Sequence, residues 1–182
     1  KLAVEKILKK NVLVVGAGIK TGLNIRIDNP AQLGSDLVVD SVAAIVEYPA
    51  PLLIFDLGTA NTVCVIDKNK NYIGGMIYPG IGVSLDSLTA HASQLGGISI
   101  EAPEHMIGKN TTECMKSGLI YSSAAAMDGI IDRLQEQLGG EATVIATGGL
   151  AKKIVSHCRR EIILDDDLLL KGLAIIYKKN RK

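Results

Sequence analysis

The segment Asp56-Leu57-Gly58-Thr59-Ala60-Asn61-Thr62 joins two apolar, β-rich runs by a tight turn that holds a carboxylate, a glycine and two threonine hydroxyls. A hairpin turn needs only Gly, Asn or Asp. Here hydroxyls are added, and Asp56 stands at the mouth of a strand that reads as buried. Gly58 lets backbone approach an oxyanion, Thr59 and Thr62 can donate to phosphate oxygens, and Asp56 can hold a cation that offsets phosphate charge. An ordinary hairpin with an Asx-type turn uses the same residues without any chemistry, and both readings stand at this point.

Three further groups could carry chemistry. In Leu33-Gly34-Ser35-Asp36-Leu37, a carboxylate follows a glycine near a helix start. Within reach of a substrate hydroxyl it would act as general base or orienter in phosphoryl transfer, whereas capping by Ser35 or Asp36 is the structural alternative. In Ala146-Thr147-Gly148-Gly149-Leu150, a strand meets a helix through two glycines. Such a turn lets a flat group lie against bare backbone, and it is also what a tight strand-to-helix connection requires. Ile107-Gly108-Lys109-Asn110-Thr111-Thr112-Glu113 enters a long helix with the look of a cap. It lacks the upstream glycine and the preceding strand of a Walker A loop.

The elements that must position these groups follow from apolar periodicity. Helices are expected over residues 2–10, 30–47, 84–94, 111–138 and 168–179, with a helix opened by Gly148-Gly149 running toward Cys158. Strands are expected over 11–15, 24–27 (a short edge), 52–55, 63–67, 72–78, 98–100, 143–147 and 161–164. The run Asp165-Asp166-Asp167 is placed to cap the last helix. Three antiparallel strands followed by helix–strand–helix units give a mixed sheet flanked by helices, an α/β protein.

Composition narrows the class. The 182 residues are 47% hydrophobic, enough for a real core, and a single Phe with no Trp makes that core aliphatic. A net charge of +1 argues against nucleic acid as main partner, which needs a basic face. Lys178-Lys179-Asn180-Arg181-Lys182 reads as a solvated end. Cys64, Cys114 and Cys158, and likewise His91, His105 and His157, are scattered without metal-ligand spacing, as in a reduced cytoplasmic protein. No apolar run approaches the ~20 residues of a membrane span. The chain does not begin with Met, and its first residues read as the middle of a helix, so a longer polypeptide is expected.

Taken together and in order, these motifs resemble the type III pantothenate kinases, a branch of the actin-like, acetate-kinase and sugar-kinase superfamily. The resemblance runs through Val14-Val15-Gly16-Ala17-Gly18-Ile19-Lys20-Thr21-Gly22-Leu23, Asp28-Asn29-Pro30, Gly34-Ser35-Asp36, the Asp56 turn, Gly74-Gly75, Pro79-Gly80-Ile81-Gly82, Gly108-Lys109-Asn110-Thr111 and Ala146-Thr147-Gly148-Gly149-Leu150-Ala151. It implies ATP-dependent phosphorylation of pantothenate to 4'-phosphopantothenate, the first step of coenzyme A synthesis. On this resemblance Asp36 accepts the proton of the pantothenate hydroxyl. Gly34, Ser35, Leu37 and Thr111 line the pantothenate site, Gly58 and Thr59 meet ATP phosphates, and Gly148 and Gly149 flank the adenosine. Asp56 holds a monovalent cation, potassium or ammonium, and Mg²⁺ arrives with ATP. The working form implied is a homodimer whose substrate pocket draws on both subunits.

The fold implied is the second, C-terminal actin-like or ribonuclease H-like half, residues 51–182, preceded by a connecting segment with the substrate-loop helix, residues 1–50. Two departures accompany the resemblance. Leu37 stands where the family has an arginine, replacing a planar fork of donors with none. The Asp-x-Gly-Asn phosphate motif of the first half does not precede Lys1, so the sequence is expected to be part of a two-walled ATP cleft. A regulatory relative of the Bvg accessory factor type, or a kinase with another acceptor, is the alternative.

Overall fold

The computed structural model describes residues 1–92 and 95–181. Its centre is β2 (Leu52–Leu57), where Leu52, Leu53, Ile54, Phe55 and Leu57 are all buried, so the strand is covered on both faces. β2 pairs antiparallel with β3 (Ala60–Ile66), and β3 pairs antiparallel with β4 (Asn71–Pro79). On its other side β2 pairs in parallel with β5 (Thr143–Thr147), which pairs in parallel with β6 (Ile163–Leu164). The two-residue β1 (Asn24–Ile25) lies parallel to β4 and completes the order β1-β4-β3-β2-β5-β6. This is the expected mixed α/β sheet.

Helices cover both faces. On one side lies α4 (Thr111–Leu138), with α3 (Ile81–His91) and the short α5 (Ala151–Val155) beside it. Met115, Leu119, Ile120, Met127 and Ile131 of α4 pack on Leu53, Phe55, Val63 and Val144. On the other side α2 (Ser35–Glu47) sits between the sheet and α6 (Leu168–Asn180). Seven consecutive α2 residues from Val38 to Ala44 are buried, because both flanks are covered. Ala43 and Ala44 belong with Leu52, Ile54, Cys64 and Ile66 of the sheet, whereas Val38, Val39 and Val42 belong with Ile176 of α6. α1 (Leu2–Leu8) has no buried residue.

The helix pair is close because Gly172 has no side chain. A Cβ there would run into the Val39 carbonyl oxygen and lie 2.7 Å from Val39 Cγ1. A second fastening is Asp165, buried at the start of the last turn before α6. Its carboxylate accepts from Tyr48 Oη at 2.8 Å, Lys171 Nζ at 2.8 Å and the Asp167 N–H at 3.2 Å. Burial pushes the Asp165 carboxyl up, but the Lys171 and Tyr48 hydrogen bonds outweigh it and hold the group below the ordinary range. Asp165 is therefore the residue of the acidic run that organises the helix start, and Asp167, at the N-cap position, makes no side-chain cap bond.

Several expectations are corrected. Residues 11–15 form no strand: Leu13 and Val14 are exposed. The stretch that follows is tied to α6 instead, the Lys20 N–H donating to Asn180 Oδ1 and Asn180 Nδ2 donating to the Lys20 carbonyl. The helix expected over 30–47 divides into a single 3₁₀ turn, Pro30–Gln32, capped by the Asn29 side chain, and α2 starting after Gly34. Residues 98–100 are irregular, and the expected strand over 161–164 is paired only at Ile163–Leu164. The helix expected over 84–94 runs from Ile81 to His91, with Gln94 outside the described residues. The one expected toward Cys158 ends at Val155.

Substituting Gly172→Ala is expected to destabilise the protein by about 1–3 kcal/mol, the usual range for overpacking a tight contact. Thermal unfolding followed by circular dichroism should show a midpoint lower by about 2–4 °C per kcal/mol. An unchanged or raised midpoint would show that the two helices are not held at this distance.

Candidate active site

Register decides which side chains share the end of the sheet. Asp56 lies opposite Thr62 on β3 and beside Thr147 on β5. Residues at matching positions on neighbouring strands point to one face. That face is the one covered by α2, since Ile54, Cys64 and Ile145 of the same alternation pack on Ala43 and Ala44. Asp56, Thr62 and Thr147 thus form a row at the C-terminal end of β2 and β5.

α2 faces that row with a stripe of its own. Asp36, Asp40 and then Ala43 and Ala44 recur at helical i, i+4 spacing, so both carboxylates lie on the side of α2 that meets the sheet. Asp36 is exposed in the first turn, where a carboxylate suits the positive end of the helix dipole. Gly34 lies against it, a Cβ at that position meeting Asp36 Oδ1. Asp40, one turn deeper, is only 3% exposed, and its Oδ1 has no hydrogen-bond partner.

A cleft of about 450 Å³ opens here, lined by Asp36, Asp40, Asp56, Thr147, Gly148, Gly149, Lys152, Asp166 and Leu169. Burial, followed by the charges of Asp56, Asp36 and Asp165, pushes the Asp40 carboxyl up to about 7. Asp56 is also raised, by burial first and then by Asp36. Four carboxylates against the single ammonium of Lys152 leave the cleft strongly negative. Such a wall repels a polyphosphate unless a cation intervenes.

Gly148 completes the wall. Its φ is +96°, a conformation L side chains rarely adopt, and a Cβ there would lie 2.5 Å from Asp56 Oδ1 and 2.7 Å from Leu57 N and O. The Leu150 N–H donates to the Leu57 carbonyl at 3.2 Å, laying the turn across the end of β2. Bare backbone at Gly148 is therefore required by contact with Asp56, whereas a Cβ at Gly149 would meet nothing, and together the two glycines leave a flat surface on the cleft.

Of the sequence candidates, Asp36, Asp56, Gly148 and Gly149 line this cleft, while Gly34 and Ser35, the N-cap and first residue of α2, precede Asp36 and are not among its lining residues. Leu37 is half-buried and packs with the cluster containing Ala43 and Tyr72. Gly58 and Thr59 form the adjacent β2–β3 turn, where the Gly80 N–H donates to the Thr59 carbonyl at 3.0 Å. Thr111 is not brought to this cleft. It begins α4 and lines a separate, mostly apolar cleft of about 730 Å³ with Val83, Leu88, Met115 and Leu119. Asp40, Thr147, Lys152 and Asp166 were not among the sequence candidates; for Asp40 the signal was its i+4 spacing from Asp36. The thiols of Cys64, buried, and Cys158, half-buried, are both pushed up to about 12 by burial, so neither is a nucleophile.

The type III pantothenate kinase family model matches residues 1–133. A type III pantothenate kinase of an Exiguobacterium species is 46% identical over 170 residues, 93% of this chain and 66% of that protein. One from Bacillus cytotoxicus is 46% identical over 176 residues, 97% of this chain and 67% of that protein. The chain belongs to the type III pantothenate kinase family. It spans about two-thirds of the length of these curated relatives. Among solved structures, a conserved Baf family protein from Campylobacter jejuni superposes with a TM-score of 0.56 at 22% identity, covering 86% of this chain and 68% of that one, a likeness of fold alone. No described helix is long and apolar enough to cross a membrane.

The buried carboxyl of Asp40 makes stability depend on pH. Its folded value, about 7, lies above the roughly 3.9 of an unfolded Asp, so the folded state favours the proton. The associated stability is present below about pH 4 and is lost as pH rises toward 7. In metal-free buffer, urea midpoints of the full-length gene product should fall between pH 5 and 8. Asp40→Asn should flatten that fall and gain up to a few kcal/mol at pH 8. Parallel profiles for the two proteins would contradict the burial of an ionisable Asp40.

Proposed function

We propose that the full-length protein transfers the γ-phosphoryl group of ATP to the hydroxyl of pantothenate. The observation that carries this reading is that Asp36, Asp56 and the Gly148-Gly149 turn line one cleft in a chain of this family. Asp36 stands at the exposed mouth, where a substrate hydroxyl can reach it. Its carboxylate takes the hydroxyl proton as the oxygen attacks the γ-phosphorus. The bond from that phosphorus to the bridging oxygen breaks, ADP leaves, and the proton passes from Asp36 to solvent. Adenosine lies against Gly148 and Gly149, with Gly58 and Thr59 at the phosphates.

Such transfer depends on positioning and charge neutralisation more than on covalent chemistry. Asp56 fits a cation: it is half-buried, and the unpartnered Asp40 Oδ1 and Thr62 Oγ1 belong to the groups around it. The resemblance makes that cation monovalent, with Mg²⁺ on ATP, and either ion supplies positive charge to offset the phosphates. The separation of Thr111 from Asp36 supports a homodimer in which the acceptor pocket is completed by a second copy. Leu37 offers the acceptor no charged donor, so the pantothenate carboxylate loses a bidentate partner. A cytoplasmic setting accords with three free cysteines.

The test uses the full-length gene product with ATP and pantothenate, with and without potassium. Asp36→Asn should lower kcat by about 10²–10⁴, the range for a general base, with a far smaller change in KM. Leu37→Arg should lower the KM for pantothenate by about tenfold, equivalent to about 1.4 kcal/mol, and leave kcat within a few-fold. Full activity in Asp36→Asn would remove the residue from the mechanism.

A further inference from the structure

Lys152 is the one basic side chain that lines the acidic cleft, which it shares with Asp36, Asp40, Asp56 and Asp166. Among the described residues it forms no ion pair, although four carboxylates line the same space. Its neighbour Lys153 is engaged, with Nζ donating to the Ile100 carbonyl at 2.8 Å. The backbone that carries Lys152 is firmly placed. Ala151 and Ile154 on either side are fully buried, and the Ala151 N–H donates to the Gly148 carbonyl at 3.0 Å. An ammonium on a flexible four-carbon stem thus stands on a fixed base, three residues beyond Gly149, and no ion pair in the fold accounts for its charge.

We propose that Lys152 holds the phosphate chain of the bound nucleotide, at the α- or β-phosphate that stays with the leaving ADP. This rests on reading the cleft as a nucleotide site. The lining residues leave few other side chains for that task. Four are carboxylates, which only accept, and Gly148, Gly149 and Leu169 bring no polar side chain. Thr147 and Lys152 remain as side-chain donors, and Lys152 alone carries positive charge. A lysine binds phosphate as a compact point charge with three donors, through a charge-assisted hydrogen bond. Its place along the nucleotide follows from its place in the chain. With adenosine on Gly148-Gly149 and the γ-phosphate directed to Asp36 on α2, Lys152 belongs to the adenosine end, beside the phosphates that are not transferred. A cation at Asp56 and the Lys152 ammonium then meet the same polyanion from two different elements, β2 and α5.

The experiment measures binding of ATP, ADP and adenosine to the full-length gene product by calorimetry, with Mg²⁺ and potassium present. Lys152→Met keeps the stem and removes the charge. It should weaken ATP and ADP alike by about tenfold at low salt, the loss of one charge-assisted hydrogen bond, and leave adenosine unchanged. The loss should shrink as salt is raised, and Lys152→Arg should restore most of it. In the unaltered protein, ATP and ADP should slow acetylation of Lys152 by acetic anhydride, read by mass spectrometry, and adenosine should not. That readout stands whether or not a variant folds. Unchanged nucleotide affinity in Lys152→Met, an equal loss for adenosine, a loss for ATP without one for ADP, or acetylation indifferent to nucleotide would each overturn the proposal. Charge-dependent ATP binding in a protein that transfers nothing to pantothenate would uphold Lys152 while removing the kinase reading. Transfer that proceeds with Lys152 unprotected would remove Lys152 and leave that reading standing.

Discussion

Two carboxylates share a place with little water, and they cannot both carry charge there unaided. At an effective dielectric of about 20, a pair of like charges a few ångströms apart repels by several kcal/mol. Asp40 and Asp56 line one cleft, and burial, then the charges of Asp56 and of Asp36 one helical turn away, raise the Asp40 carboxyl. The cluster must take up positive charge, whether as a proton or as a metal ion. An anionic phosphate chain can enter such a cleft only with positive charge beside it. The electrostatics of these aspartates is therefore what the chemistry depends on.

The rest of the structure serves to enforce the juxtaposition. Left to repulsion, α2 would lift from the end of the sheet. Ala43 and Ala44 hold it to Leu52, Ile54 and Ile66, and Val38, Val39 and Val42 hold it to α6. Removing that apolar area from water is favourable by roughly 25 cal/mol per Å², so a few hundred Å² outweigh the repulsion. Gly172 lets the helices close, and Asp165 ties Tyr48, just past the C-terminal end of α2, to Lys171 of α6. On the sheet side, the antiparallel β2–β3 register and the parallel β2–β5 register put Asp56, Thr62 and Thr147 in one row. Slipping either by one residue would send one of these side chains to the α4 face.

The sheet's centre was legible because its strands are dense in β-branched and aliphatic residues and bounded by Gly, Asn and Pro. β5 and α4 fall on the expected 143–147 and 111–138. The run at 11–15 has the same composition and forms no strand, because composition does not say whether a partner edge exists. Gly34 broke the helix expected over 30–47, and the division matters, since it makes Asp36 a first-turn residue rather than a mid-helix one. In the site, Asp36, Asp56, Gly148 and Gly149 were readable from motif and resemblance. Asp40 was hidden because a carboxylate inside a helix ordinarily faces solvent, and only the burial of α2 from both sides gives it another meaning. Thr111 reads as a neighbour of Asp36 in sequence logic, yet the sheet stands between their clefts.

The central claim is that this cluster of carboxylates serves phosphoryl transfer to a hydroxyl. The most direct measurement is ³¹P NMR of a reaction containing the full-length gene product, ATP, Mg²⁺, potassium and pantothenate. The account predicts a new phosphomonoester resonance, growing with ADP in equal amount and absent without pantothenate. ADP appearing with inorganic phosphate instead, or no loss of ATP at all, would contradict it.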